Sequence, residues 1–260
     1  MKGVLYYFSG TGNTRWVANK FKEYFNTYNV DLALYSIELL EEVNINLYDF
    51  IIIGSPVYAD IEPKIVDDFL NKLPSTKKGI KSIIYTTQGT KSSAAVYIIE
   101  NKIKKRGYNI VAKANMQMPS NCYFIVGKKP TLDNENDILA FSDKKVQNIV
   151  KNFMEHNDVN SKVLFMRVRL AKTYNKLYKR FLPKISKNIT STKDCTKCGL
   201  CLINCPKNNI TFENGHAIFH SKCMLCLRCI YVCPKNVIRY KGKKIDQIQK
   251  ERVRLLDLNK

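Results

Sequence analysis

The chain has 260 residues, 45% of them hydrophobic and 25% charged, with a formal net charge of +21. That balance excludes wholesale disorder and collagen-like or low-complexity chains, and no apolar run approaches the ~18 residues that span a bilayer. Nine cysteines, in a chain whose first residues read as a β-strand rather than a signal segment, point to metal or redox chemistry in a reducing cytoplasm rather than to disulfides.

The charge is unevenly spread. Residues 1–158 carry 20 basic and 17 acidic side chains, and residues 159–193 carry 10 basic and none acidic. Residues 194–240 carry six and two, and residues 241–260 carry seven and three. A near-neutral domain, a basic connector and a second unit are therefore expected. A basic stripe attracts nucleic acid, anionic lipid or an acidic protein surface, and charge alone does not choose among them.

In chain order, Val4–Phe8 is an apolar run of strand formers, followed by helical spacing over Thr11–Phe25. Val30–Ile37 alternates as a strand, and Tyr48–Gly54 holds the run Phe50-Ile51-Ile52-Ile53 of a strand buried on both faces. Pro63–Leu73 is helical, Ile80–Thr86 a strand, and Ser92–Arg106 a helix with Gly107 as its C-cap. Tyr108–Ala114 is a strand and Asp137–Phe153 a helix. Strands alternating with helices predict right-handed crossovers, hence an α/β, doubly wound, five-stranded parallel sheet that binds ligands at the carboxyl ends of its strands.

The first such end is Ser9-Gly10-Thr11-Gly12-Asn13-Thr14, at a helix N-terminus. Glycines let the backbone close around a ligand, and aligned N–H groups with the helix dipole favour a phosphate. No Lys follows, which excludes a Walker A loop, and Arg15 stands where a dinucleotide fingerprint has its third Gly. Hydroxyls without a Lys suit a single phosphomonoester. This segment resembles the phosphate loop of the flavodoxin family, in the T/S-x-T-G-x-T pattern of Ser9, Thr11, Gly12 and Thr14. The resemblance covers about 1–158 and implies FMN. Ser9–Thr14 would hold the ribityl phosphate. Ser55-Pro56-Val57-Tyr58 and Thr87-Gln88-Gly89 would form the two ring loops, with Tyr58 stacking on the flavin. Met118–Phe124 could then lid the ring. Cys122 reads as a small apolar residue, since no base accompanies it.

The cysteines carry the strongest signal. Cys195-x2-Cys198-x2-Cys201-x3-Cys205-Pro206 recurs as Cys223-x2-Cys226-x2-Cys229-x3-Cys233-Pro234, with a period of 28. Structural zinc sites draw C-x2–4-C pairs from separate loops. A third cysteine and a terminal Cys-Pro, both occurring twice, favour iron–sulfur clusters instead. Residues 190–240 look like a bacterial two-cluster ferredoxin. That resemblance implies two [4Fe–4S] clusters, one on Cys195, Cys198, Cys201 and Cys233, the other on Cys223, Cys226, Cys229 and Cys205.

Together the halves resemble flavodoxin–ferredoxin fusion proteins of anaerobic bacteria and archaea. The expected organisation is an FMN-binding domain at 1–158, a basic amphipathic connector at 159–189, a small α+β ferredoxin-like domain at 190–240 and a basic tail at 241–260. In the connector, Tyr174, Leu177, Tyr178, Phe181, Leu182 and Ile185 form a helical apolar stripe that Pro183 is expected to bend or end. With cofactors bound, the net charge falls to roughly +15, so acidic redox proteins are the expected partners. A membrane surface is less favoured, and nucleic acid is not expected, because no recognised motif for it is present. The expected function is low-potential electron transfer between redox proteins, by a carrier more than a dedicated enzyme. The alternatives are an FMN-dependent reductase of a small molecule and a redox-sensing binding protein. No second nucleotide-binding unit for NAD(P)H is seen.

Overall fold

The apolar, β-branched runs become strands and the periodic segments become helices, in two compact units. A computed structural model of the chain describes residues 1–40, 42–89, 94–157, 159–160, 165–248 and 252–253. The first unit comprises Met1–Ser9, Asn13–Ser120 and Pro130–Tyr174, and the second Gly10–Gly12, Asn121–Lys129 and Asn175–Lys260.

The first unit alternates β1 (Lys2–Tyr7), α1 (Asn13–Thr27), β2 (Asp31–Ser36), β3 (Phe50–Pro56), α2 (Lys64–Lys72), β4 (Lys81–Gln88), α3 (Ala95–Lys104), β5 (Asn109–Gln117), α4 (Leu132–Met154) and β6 (Val159–Asn160). The strands pair in parallel in the order β2-β1-β3-β4-β5-β6. The five expected strands thus form the sheet, and β6 adds two residues at its edge. Strand order reverses beside β1, so the carboxyl ends of β1 and β3 open the switch-point crevice. All of β3 is buried, as its unbroken apolar run requires.

Helix α4 starts at Leu132, five residues ahead of the periodicity. Thr131 caps it, its side chain accepting from the Asn134 N–H, and Asp133 and Glu135 complement the first turn. The start expected for α3, at Ser92, lies outside the described residues.

One contact ties the sheet to the head of α1. A Cβ on Gly54 would approach the Tyr85 ring and hydroxyl to 2.3 Å, so only glycine lets Tyr85 lie there. Buried Tyr85 donates its Oη–H to the Thr14 carbonyl at 2.9 Å, and burial holds this phenol well above its usual range.

Two ion-pair groups knit the helices to the sheet. Lys102 Nζ lies 2.5 Å from both Glu62 Oε1 and Asp67 Oδ1, and Glu62 is almost fully buried. Burial pushes the Glu62 carboxyl up against the opposing pull of Lys102. Burial pulls Lys102 down, but its two carboxylates overcome this and keep it charged. Lys102→Met removes the cation and leaves Glu62 buried without it. A loss of about 3–5 kcal/mol is expected in urea unfolding, because breaking a buried pair costs far more than its net worth.

Glu100 receives Lys104 at 2.7 Å and Lys113 at 2.6 Å. Burial alone would raise its pKa, yet the hydrogen bonds from both lysines lower it below the ordinary 4.5. A depressed carboxyl stabilises the fold above its unfolded pKa, and that stabilisation is lost as pH falls through the lower folded value. Unfolding free energy measured across this acid limb is expected to fall less steeply in Glu100→Gln than in the parent.

Helix α5 (Phe165–Ser186) follows. Pro183 does not end it: the helix runs three residues further, because a proline in the last turn costs only one ladder bond there. Ser186 Oγ donates to the Pro183 carbonyl at 3.0 Å. The second unit then contains β7 (Ile189–Ser191), α6 (Leu200–Ile203), β8 (Ile210–Glu213), β9 (His216–Phe219), α7 (Arg228–Val232), β10 (Ile238–Tyr240) and β11 (Lys243–Lys244). Strand β10 pairs antiparallel with β7 and β11, and β8 with β9. The β8–β9 turn uses Asn214 at φ 47° and Gly215 at φ 87°, as a tight hairpin demands.

Residues beyond Tyr240 continue this unit rather than leaving it. Ile245 is buried in its core, and Gln247 Nε2 donates to the Ile230 carbonyl at 2.6 Å and the Cys233 carbonyl at 2.8 Å. Residues 249–251 and 254–260 of the expected tail lie outside the described residues.

Candidate functional site

The duplication in the sequence recurs in the backbone. Lys197 and Gly199 take φ of 55° and 80°; one period later Leu225 and Leu227 take 56° and 64°. Asn208 and Asn236 match in the same way, at 47° and 49°. Left-handed residues curl each three-cysteine turn so that its side chains converge. Glycine does this without strain at 199, whereas Leu227 adopts it at about 1–2 kcal/mol and is held by burial in the core.

The result is two cysteine-lined hollows. One is lined by Cys195, Cys198, Cys201 and Cys233, with Phe212 and Ile238 among its apolar walls. The other is lined by Cys205, Cys223, Cys226 and Cys229, with Ile189 and Phe219. Each hollow takes three thiols from one run and the fourth from the other run. Backbone amides point at the sulfurs: Asn209 N–H to Cys205 Sγ at 3.3 Å, Leu225 N–H to Cys223 Sγ at 3.4 Å and Val237 N–H to Cys233 Sγ at 3.5 Å. Such donors favour thiolates. Burial meanwhile pushes the bare Cys201 thiol up to about 11 and Cys226 to about 12, so a bound metal must displace protons. A soft set of four thiolates around an apolar hollow fits an iron–sulfur cluster.

Arg228, between Cys226 and Cys229, is a residue that the motif gave no reason to single out. It is buried, donating from Nε to the Gly10 carbonyl at 3.1 Å and from Nη1 to the Asn204 carbonyl at 3.0 Å. A variable position inside a ligand run has no sequence signal of this kind. Its partner Gly10 belongs to Gly10–Gly12, the part of the glycine loop that packs in the second unit. There Asn121 Nδ2 donates to Thr11 Oγ1. Gly12 has φ +95°, and a Cβ on it would meet the Arg252 carbonyl at 1.9 Å, so no side chain fits.

Asn121–Lys129 also serves this unit. The Tyr231 hydroxyl donates to the Asn121 carbonyl at 2.6 Å, Lys129 pairs with Asp246 at 2.6 Å, and the Phe124 ring meets Tyr240 at 5.3 Å. Cys122 packs half-buried in the same core, with its thiol pushed up by burial, and lines neither hollow.

In the first unit, the other expected loop residues sit at the carboxyl ends of β1, β3 and β4. Ser9, Thr14, Ser55, Thr87 and Gln88 are buried. Thr14 and Thr87 join through their hydroxyls at 2.8 Å, and Ser9 Oγ accepts from the Arg15 N–H at 3.2 Å. Asn13 Nδ2 donates to the Pro119 carbonyl at 3.1 Å. Ser55 Oγ donates to the Pro56 carbonyl at 2.8 Å, and the Val57 N–H to the Thr87 carbonyl at 2.9 Å. Tyr58 starts a tight turn closed by its N–H on the Ile61 carbonyl at 2.9 Å, with Ala59 and Asp60 at φ 51° and 71°. Gly89 lies against Ser120. Hydroxyls and backbone amides at a helix head are donors that fit a phosphomonoester.

A doubly wound α/β domain with a hydroxyl-rich glycine loop, joined to a module with two four-cysteine hollows, defines a two-part redox protein. Residues 4–116 match the flavodoxin domain family and residues 194–237 the 4Fe-4S dicluster domain family, so a flavodoxin domain over the first range is followed by a 4Fe-4S dicluster domain over the second. Among solved structures, oxidised flavodoxin 2 from Bacillus cereus is similar at 23% identity over 60% of this chain and 99% of that one, with a TM-score of 0.46. Two-electron reduced Megasphaera elsdenii flavodoxin is similar at 22% identity over 56% and 99%, with a TM-score of 0.40. A flavodoxin from the domain Archaea is similar at 19% over 58% and 99%, with a TM-score of 0.39. No curated protein matches. Among the described residues, no helix is long and apolar enough to cross a membrane.

Proposed function

We propose that this chain binds one FMN and two [4Fe–4S] clusters and passes low-potential electrons between other redox proteins in the cytoplasm. The observation that carries the reading is the pair of four-thiol hollows with crossed ligand sets in a chain that also holds a flavodoxin domain. The flavin supplies the exchange between two-electron and one-electron chemistry, and each cluster carries a single electron.

The chain's own residues bind and shield. Cys195, Cys198, Cys201 and Cys233 hold one cluster, and Cys205, Cys223, Cys226 and Cys229 the other. Phe212 and Phe219 keep water from the sulfurs, which tunes potential through the local dielectric. The Ser9–Thr14 loop holds the FMN phosphate, with Ser55–Tyr58 and Thr87–Gly89 beside the ring. One chain replaces a bimolecular encounter by transfer at raised effective concentration. The +21 charge suits docking of acidic redox proteins, through steering of the encounter.

An anaerobic dithionite titration tests this. The reading expects about four reducing equivalents per chain, two bleaching the flavin and one for each cluster. Reoxidation by an acidic ferredoxin is expected to slow steeply as salt rises. Uptake of only about two equivalents with no flavin bleaching would overturn the FMN assignment, and salt-independent reoxidation the partner assignment.

A further inference from the structure

Helix α5 carries a second apolar surface that faces solvent. The stripe expected from the sequence splits: Tyr178, Leu182 and Ile185 pack on the second unit's core, while Tyr174, Leu177 and Phe181 face out. Left outside are Met166, Leu170, Tyr174, Leu177 and Phe181, exposed at 74%, 67%, 57%, 50% and 49%. These recur at steps of four, four, three and four. At 100° per residue they fall within a sector of about 80°, as a row roughly 22 Å long. Five large apolar side chains in one row exceed the scattered exposure that a water-facing surface normally shows.

The rest of the exposed face is mostly cationic, with Thr173 and Pro183 as its neutral members. Arg169, Lys172, Lys176, Lys179, Arg180 and Lys184 are all exposed, and residues 159–193 contain no acidic side chain. An apolar row bordered by lysine and arginine is the pattern of a helix that lies in the plane of an anionic lipid surface. Leu, Phe and Met enter the acyl boundary, Tyr174 sits at headgroup level, and the long cationic side chains reach out to phosphates. A protein partner would call for a shaped, self-contained patch; a straight row on a convex helix bordered chiefly by lysine and arginine, with Thr173 as a neutral neighbour and Arg167 paired to Asp60, matches a flat anionic sheet.

We propose that α5 docks the protein on an anionic membrane surface without spanning it. The test is flotation of the iron-loaded, full-length protein with vesicles of phosphatidylcholine alone, and with vesicles containing about one-third phosphatidylglycerol. The protein is expected to float with the second and not the first. The triple variant Leu170→Ser, Leu177→Ser, Phe181→Ser is expected to lose binding by roughly tenfold or more, with iron content and visible spectrum unchanged because all three side chains are exposed. Failure to float with anionic vesicles overturns the proposal, as does flotation that the triple variant leaves unchanged. Retention on a polyglutamate matrix that the triple variant abolishes, without vesicle flotation, overturns it in favour of an acidic protein.

Discussion

Cys205→Ser is expected to disable the cluster of the second cysteine run, although it lies in the first, and Cys233→Ser the cluster of the first. The reason is geometric. Cys205 lines the hollow of Cys223, Cys226 and Cys229, while Cys233 lines that of Cys195, Cys198 and Cys201. Each variant is expected to purify with about four irons in place of about eight, and with the spectroscopic signature of the opposite cluster retained. Stability falls as well, by several kcal/mol, because metal binding in so small a module is folding free energy. The core around the hollows includes cysteines themselves, Cys201 and Cys233 among them. Pairing each variant with a serine in the trio it completes, such as Cys205→Ser with Cys226→Ser, should add little further iron loss. Pairing across the two sets should remove nearly all the iron. An uncrossed arrangement would give the opposite additivity.

Arg228→Leu is the second large effect. The guanidinium is buried and bonds the carbonyls of Gly10 and Asn204. Orphaning two buried acceptors costs about 1–3 kcal/mol each, so a loss of roughly 2–6 kcal/mol is expected in unfolding of the second unit. Arg228→Lys is expected to rescue little of it, since one compact ammonium nitrogen does not reproduce the separate Nε and Nη1 donors that the planar guanidinium aims at Gly10 and Asn204. The electronic effect differs. The Arg228 charge and backbone amide act on the Cys226 sulfur against the upward push of burial, so the cation favours extra negative charge there. Leucine is expected to lower the potential of that cluster by tens of millivolts, and lysine by less. Redox titration followed by EPR separates the two effects: stability tracks the fork, potential tracks the charge. FMN content is expected to fall in both variants, because Gly10 belongs to the phosphate loop.

Much of this was legible because the chemistry is periodic. The 28-residue repeat of cysteines carried both cluster runs, and strand–helix alternation carried the sheet, because buried parallel strands need unbroken apolar runs such as Phe50–Ile53. What escaped is what depends on tertiary choice. The stripe on α5 is wide enough to face two ways, and spacing cannot say that Tyr178 turns inward while Tyr174 and Phe181 face water. Arg228 reads as one more basic residue until its carbonyl partners are seen. Asn121–Lys129 follows a sheet strand, yet its side chains complete the core of the iron–sulfur module, a long-range contact that local pattern cannot encode. Pro183, expected to bend or end α5, does not end it, because few ladder bonds remain after it.

The most direct measurement is iron, acid-labile sulfide and flavin quantitation on anaerobically purified protein, with EPR of the reduced state. The account predicts about eight irons, eight sulfides and one FMN per chain, with two interacting cluster signals. Zinc in place of iron in anaerobically reconstituted protein, or iron at the full level without flavin, would contradict it.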